Sequence, residues 1–190
     1  MYPSAITLVV AAAAIGSFAW SVFGAFRSGE RTTSGYDTLR LSAVTAWIIQ
    51  LFILAQAGMA FDSPNYWGGN LLIVVGLLLF WHCVKVTRRR KLTLAFSVDA
   101  PEHIYQIGPY GYVRHPFYLS YLLAYFGMAI AANDVWLYLT AVVMYILYYH
   151  AARFEEEKFQ KSHLAGHYAE YRRSTGMFLP KMRRFSNRRC

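Results

Sequence analysis

The sequence predicts an all-α integral membrane protein with five transmembrane helices. Three observations carry that reading. Of 190 residues, 56% are hydrophobic and only 15% charged, whereas a soluble domain averages roughly 45–50% apolar and about 25% charged residues. Mean hydropathy is +0.27. Five apolar runs approach or reach membrane-spanning length, and the Lys and Arg residues alternate between the segments joining them.

A bilayer-spanning helix needs ~20 mostly apolar residues, with a range of ~17–25. The first run, residues 6–26, holds no charge. It lacks a basic leading segment and exceeds the ~7–15 apolar residues of a cleaved signal peptide, so it reads as a span. The second, 41–61, is broken only by Gln50 and Gln56. The third, 67–86, carries His82 and Lys85 near its end. After the polar stretch 87–115 come two short runs, 117–132 and 135–152, separated only by Asn133 and Asp134. These read as a tight helical hairpin, tilted or partly shielded by protein.

Orientation follows from the basic residues. Segment 27–40 holds Arg27, Arg31 and Arg40, and 62–66 holds none. Segment 87–115 holds Arg88, Arg89, Arg90, Lys91 and Arg114, and 133–134 holds none. Ten basic residues follow Ala152. The alternation places the N-terminus outside and the C-terminus in the cytosol. The net charge of +9 therefore lies mostly on the cytosolic face. There it attracts anionic lipid headgroups at about 1 kcal/mol per basic residue, and the same account disfavours nucleic acid as a partner. The chain divides into N-terminal spans at 1–91, a catalytic-type region at 92–181 and a basic tail at 182–190. Cys83, in an apolar run, reads as a buried thiol. Cys190 is the last residue, whereas a prenylation signal needs its cysteine fourth from the end. Short length and a short tail favour a prokaryotic cell membrane, and a monomer is the default.

Two cytosolic segments carry chemistry. One runs from Glu102 and His103 through Tyr105, Gly108 and Tyr110 to Arg114-His115-Pro116-Phe117-Tyr118. Pro is favoured at the first position of a helix. The amides of Phe117 and Tyr118 then open a helix end that carries about half a positive charge and suits carboxylate or phosphate. The plainer reading is a capped helix at a membrane interface, with Arg114 and Tyr118 as anchors. The second segment is Arg153-Phe154-Glu155-Glu156-Glu157. On a helix Arg153 faces Glu156 and Glu157 at i+3 and i+4, which a solvated, ion-paired face would also explain. Three carboxylates at a helix end oppose the macrodipole, which invites a functional reason. The two-residue turn returns both segments to the same face. His82 and His150 read as interfacial, and His163 and His167 as exposed. No His/Cys/Asp/Glu set has metal-ligand spacing, so no metal is expected. Gly108-Pro109-Tyr110-Gly111 reads as a turn, not a phosphate cradle.

Gly108-x-Tyr110-x-x-x-Arg114-His115-Pro116-x-Tyr118, a short hydrophobic hairpin, Glu155-Glu156-Glu157, Tyr168-x-x-Tyr171 and Phe178-Leu179-Pro180 follow in that order. Together they resemble the isoprenylcysteine carboxyl methyltransferase family over roughly residues 92–181. Phospholipid N-methyltransferases share much of the pattern, and some sterol reductases a looser version. Leu164-Ala165-Gly166-His167 stands where that family usually has Phe-Gly. The resemblance implies a small membrane methyltransferase using S-adenosyl-L-methionine at a cytosolic site formed by the loop before helix 4 and the C-terminal segment. It implies that Glu102, His103, Ile104, Tyr105, Gly108 and Tyr110 line the cofactor. His115, Pro116, Phe117 and Tyr118 would hold its methionine end. Glu156 would bind its amino group or position the reacting groups, and Arg153 would meet the substrate's acid group. Which of Glu155, Glu156 and Glu157 acts stays open.

The function expected is methyl transfer to a lipidic or prenylated acceptor entering from the bilayer. Carboxyl O-methylation of an isoprenylcysteine-like molecule leads, ahead of N-methylation of an ethanolamine phospholipid or transfer to another small hydrophobic acceptor. An NADPH-dependent sterol-type reductase and a non-enzymatic membrane scaffold are the alternatives of other classes. The lack of intramembrane charge pairs, which transport pathways usually carry, disfavours a transporter subunit.

Overall fold

The computed structural model describes residues 3–26, 32–88, 92, 96, 97 and 101–181. Arg27, Arg31, Arg89, Arg90, Lys91 and the basic tail 182–190 with Cys190 lie outside the described residues. Among the described residues six α-helices follow one another: α1 (Pro3–Gly24), α2 (Ser34–Gln56), α3 (Pro64–Thr87), α4 (Pro116–Ala132), α5 (Val135–Gln160) and α6 (Ala165–Ser174). By length and composition α1, α2, α3 and α5 can each cross a membrane, and α4 is a shorter apolar helix of 17 residues.

Helix ends explain where these elements depart from the apolar runs. The second helix starts at Ser34 instead of residue 41, because Thr33 is extended (φ −81°, ψ 168°) and Asp37 sits in the first turn, where it complements the dipole. It stops at Gln56 instead of 61, because Ala57 turns back to extended geometry. In α3, Pro64 occupies the first turn, where its missing N–H is not needed. The α4–α5 turn consists of Asn133 and Asp134 alone. Asn133 takes a left-handed conformation (φ 50°) that closes α4, as C-terminal caps often do. Asp134 caps α5 by accepting from the amides of Trp136 (2.9 Å) and Leu137 (3.1 Å). The fifth helix continues to Gln160 instead of ending at 152, since Arg, Glu and Lys are good helix formers. The three glutamates therefore stand within its last turns, not beyond its end.

The short α4 is the central helix. It touches α1, α2, α3 and α5, and its buried residues, from Phe117 to Ala131, run around most of its circumference. Enclosure by protein removes the need for a full bilayer-spanning length. Its closest neighbour is α3. A Cβ added at Gly127 would lie 2.7 Å from the Gly69 carbonyl oxygen and 2.7 Å from Ile73 Cγ1. Small residues let membrane helices approach in this way. Buried polar groups tie other pairs together. Gln50 Nε2 on α2 donates to Thr140 Oγ1 on α5 (2.7 Å), and Asn70 Nδ2 on α3 donates to Thr7 Oγ1 on α1 (3.0 Å). Outward-facing Ile48, Phe52, Leu71, Leu78 and Trp136 are exposed, which suits lipid contact.

Strand-like pairing then draws the connecting segments onto one end of the bundle. Leu92 pairs with Phe26 and Val113 with Gly176 as isolated bridges. The amides of Arg114 and His115 donate to the carbonyls of Gly176 (2.9 Å) and Met177 (3.2 Å). The segment after α6 is thus fastened along the entrance to α4.

Candidate functional site

A cavity of about 340 Å³ opens where the loop before α4, the α4 N-terminus, the end of α5 and α6 converge. Of the residues expected at a cofactor, Glu102, His103, Ile104, Tyr105, Tyr110, His115, Phe117 and Tyr118 line it. Tyr105 packs against His103 (ring centroids 4.8 Å) and Tyr110 (5.5 Å), forming an aromatic wall. Three expected residues lie behind the lining. Pro116 is the buried first residue of α4. Gly108 opens a 3₁₀ turn, Gly108–Gly111, at φ +59°, where a Cβ would meet Val86 Cγ2 at 2.8 Å, so only glycine fits the turn without strain. Glu156 is buried, its side chain 1% exposed.

The three glutamates separate by helical phase. Glu155 lines the cavity and accepts from the Tyr118 hydroxyl. Glu156 sits beneath it, and Glu157 is exposed. Arg114 Nε donates to Glu156 Oε1 at 2.8 Å, and Arg172 Nε lies 3.4 Å from Glu156 Oε2. The Arg114 side chain is only 7% exposed. Its Nη1 donates to the carbonyls of Thr175 and Arg172. Arg114 is thus a buried clamp between α5 and the C-terminal segment instead of an interfacial anchor. The expected pairing of Arg153 with Glu156 or Glu157 is not found. The buried stripe of α5 runs through Met144, Tyr148, Ala152 and Glu156. Arg153, one residue past Ala152, is turned about 100° away and exposed.

His115 lies between both carboxylates, with Nδ1 3.5 Å from Glu155 Oε2 and Nε2 3.4 Å from Glu156 Oε1. Burial alone would lower its pKa, but the adjacent Glu155 and Glu156 carboxylates outweigh burial and raise it above the ordinary imidazole value. The ring stacks on Tyr118 (5.6 Å, 5°), which stacks on Tyr148 (5.2 Å, 25°). His115 Nε2 and Glu156 Oε2 are buried and satisfy no hydrogen-bond geometry. With His115 protonated, three cations (Arg114, His115, Arg172) face two carboxylates (Glu155, Glu156). In that state His115, the N-cap residue, stands beside the first-turn amides of α4. That combination suits an anion.

Tyr168 and Tyr171 also line the cavity. Phe159 stacks on Tyr168 (4.5 Å, 9°), and the Tyr171 hydroxyl donates to the Tyr110 carbonyl (2.7 Å). The sequence marks these tyrosines by their i, i+3 spacing within a polar helix. Phe26 and Leu92 complete the wall from the N-terminal part of the chain, and no local pattern singles them out.

The family model for phospholipid methyltransferases matches residues 61–170. The chain is 27% identical over 146 residues to the cobalt-zinc-cadmium resistance protein CzcN of Cupriavidus metallidurans, an alignment covering 71% of this chain. It spans 62% of that relative's length. No solved structure matches.

Proposed function

The chain belongs to the phospholipid methyltransferase family, a family of membrane methyltransferases acting on lipid-type substrates, and we propose that it uses S-adenosyl-L-methionine to methylate a lipidic or prenylated acceptor. One observation carries the reading. A single cavity at the end of the apolar helices gathers an aromatic wall, the α4 N-terminus with His115 beside it, and the Glu155 carboxylate. Its volume falls within the ~300–1,000 Å³ of small-molecule sites.

The lining fits the cofactor's parts. Ile104, Tyr105 and Tyr110 offer apolar and aromatic surface to an adenine. His115 and the Phe117 and Tyr118 amides suit the carboxylate of a methionine end, and Glu155, braced by Tyr118 and backed by Glu156, suits its ammonium. When bound, the cofactor supplies an electrophilic methyl group on a sulfonium. The protein's own task is alignment, which can contribute ~7–11 kcal/mol.

For the acceptor we favour a carboxylate of isoprenylcysteine type. A terminal carboxyl, with pKa about 3.3–3.7, is already ionised at neutral pH and needs no base. His115 sits between two glutamates that favour its protonated form over a free base. Arg153, exposed on α5, remains the cation proposed to meet such an acid from the bilayer side. A second reading is an ethanolamine headgroup, favoured by Glu155. Its carboxylate faces the cavity and would hold the ammonium and take its proton. In either case the hydrophobic part of the acceptor enters between the helices. The N-terminus lies outside and the C-terminus in the cytosol, so that the cavity meets the soluble cofactor. A prokaryotic cell membrane, anionic lipid headgroups at the cytosolic face and a monomeric state complete the proposal.

Calorimetric titration of the detergent-purified protein with S-adenosylhomocysteine, in parallel with NADPH, tests it. Saturable binding of the former, lost in His115→Ala, is expected. Labelled methyl transfer to a prenylated cysteine and to phosphatidylethanolamine then separates the two acceptors. Binding of NADPH alone, or of neither by demonstrably folded protein, overturns the methyltransferase assignment.

A further inference from the structure

A second cavity, of about 450 Å³, lies between the ends of α1 and α3. Its lining adjoins that of the first in the chain: Ala25 lines this groove and the next residue, Phe26, lines the cavity at the α4 entrance. Two indoles form its apolar side. The rings of Trp20 and Trp81 are 5.3 Å apart and tilted by 31°, and the two residues are 45% and 44% exposed. The absence of a side chain at Gly24 creates the room, because a Cβ there would strike the Trp20 indole. Lys85, one turn beyond Trp81 on α3, and Arg88, the residue capping its end, complete the lining, and both are exposed. Among the described residues neither forms an ion pair, and no Asp or Glu lines the groove.

Apolar surface and unneutralised positive charge thus meet in one concavity at the end of membrane-crossing helices. An occupant must carry a hydrocarbon part and an anionic head together. Tryptophans settle at the headgroup level of a bilayer, and basic pockets between membrane helices bind anionic headgroups. We propose that this groove is a binding site for an anionic phospholipid, its acyl chain against Trp20, Trp81 and Val84 and its phosphate between Lys85 and Arg88. Free inorganic phosphate shares the head's chemistry but leaves the indole side empty.

The experiment uses the full chain in vesicles of equimolar phosphatidylcholine and phosphatidylglycerol, with bromine on the acyl chains of one lipid or the other. Brominated chains quench nearby tryptophans, so extra quenching by the brominated phosphatidylglycerol reports preferential occupancy. Lys85→Gln with Arg88→Gln is expected to lower the preference about thirty-fold, about fivefold per charge. Lys161→Gln with Arg173→Gln, two exposed charges elsewhere, is expected to keep it. Trp20→Phe with Trp81→Phe, which retains both cations, is expected to abolish the extra quenching and serves if the charge variant fails to insert. Inorganic phosphate is expected not to relieve the quenching. Equal loss in both charge variants would reduce the effect to general surface charge. Relief by phosphate would make the groove a free-anion site. Unaltered quenching in the tryptophan variant would place the lipid elsewhere. Each of these overturns the proposal.

Discussion

Arg114 and Glu156 stand 42 residues apart in the chain, yet Arg114 Nε meets Glu156 Oε1 at 2.8 Å, with both side chains buried. The pair joins the segment entering α4 to α5. Through its bonds to the Thr175 and Arg172 carbonyls, Arg114 extends that link to the segment after α6. Removing Arg114 leaves Glu156 buried with only His115 and the more exposed Arg172. Removing Glu156 leaves Arg114 buried with carbonyl partners alone, and breaking a buried pair costs up to about 3–5 kcal/mol. Arg114→Ala and Glu156→Ala should each lower stability by that order in detergent unfolding. The double variant should lose less than the two losses added together. Additive losses would show that the two groups act independently.

His115 makes a pH prediction. Its folded-state pKa is raised above the ordinary value of 6.5 by Glu155 and Glu156 in spite of burial. A raised folded pKa means that the protonated ring is favoured on folding. Its contribution is fully present below the unfolded pKa and fades as pH rises through the folded one. The Tm difference between wild type and His115→Gln should therefore be largest in mildly acidic buffer and shrink as pH rises. A difference that grows with pH would mean that the neutral imidazole is the stabilising form.

Tyr118→Phe keeps the ring stacked between His115 and Tyr148 but removes the hydroxyl that bonds Glu155. Hydrogen bonds to charged groups contribute about 1.5–3 kcal/mol. If Glu155 holds the cofactor's ammonium, S-adenosylhomocysteine should bind about tenfold or more weakly to this variant, with little change in the helical circular-dichroism signal. Unchanged affinity by calorimetry would remove Glu155 and Tyr118 from the cofactor site.

Local physics explains what could be read in the sequence. Asn133 and Asp134 interrupt two apolar runs, and their types, a left-handed cap and an N-cap, are those such a turn requires. The loop from Glu102 to Tyr110 stands out as polar and aromatic between membrane spans, and most of it lines the cavity. The start of α2 was hidden because Ser34 to Arg40 is polar and a hydropathy count passes over it. The Arg114–Glu156 pair was hidden because Arg153 offers the same carboxylate a local partner, and helical phase alone decides between the two. Tyr168 and Tyr171 stand out in the sequence by spacing alone, and the bond from the Tyr171 hydroxyl to the Tyr110 carbonyl ties them to the cavity wall.

The exposure of Arg153 yields a separation that a buried residue could not provide. It lies on α5 just before Glu155 and Glu156, outside the cavity wall and the buried stripe, and among the described residues it makes no ion pair. Arg153→Ala should leave the fold and the affinity for S-adenosylhomocysteine unchanged, since nothing that shapes the cavity depends on it. If the acceptor presents a carboxylate from the bilayer side, the same substitution should slow methyl transfer to a prenylated cysteine. Turnover of an ethanolamine lipid, which brings a cation, should not fall with it. Parallel labelled-methyl assays on the two acceptors check this. Equal loss on both would assign Arg153 a role in the scaffold, and no loss on either would move the acid-binding group to another residue.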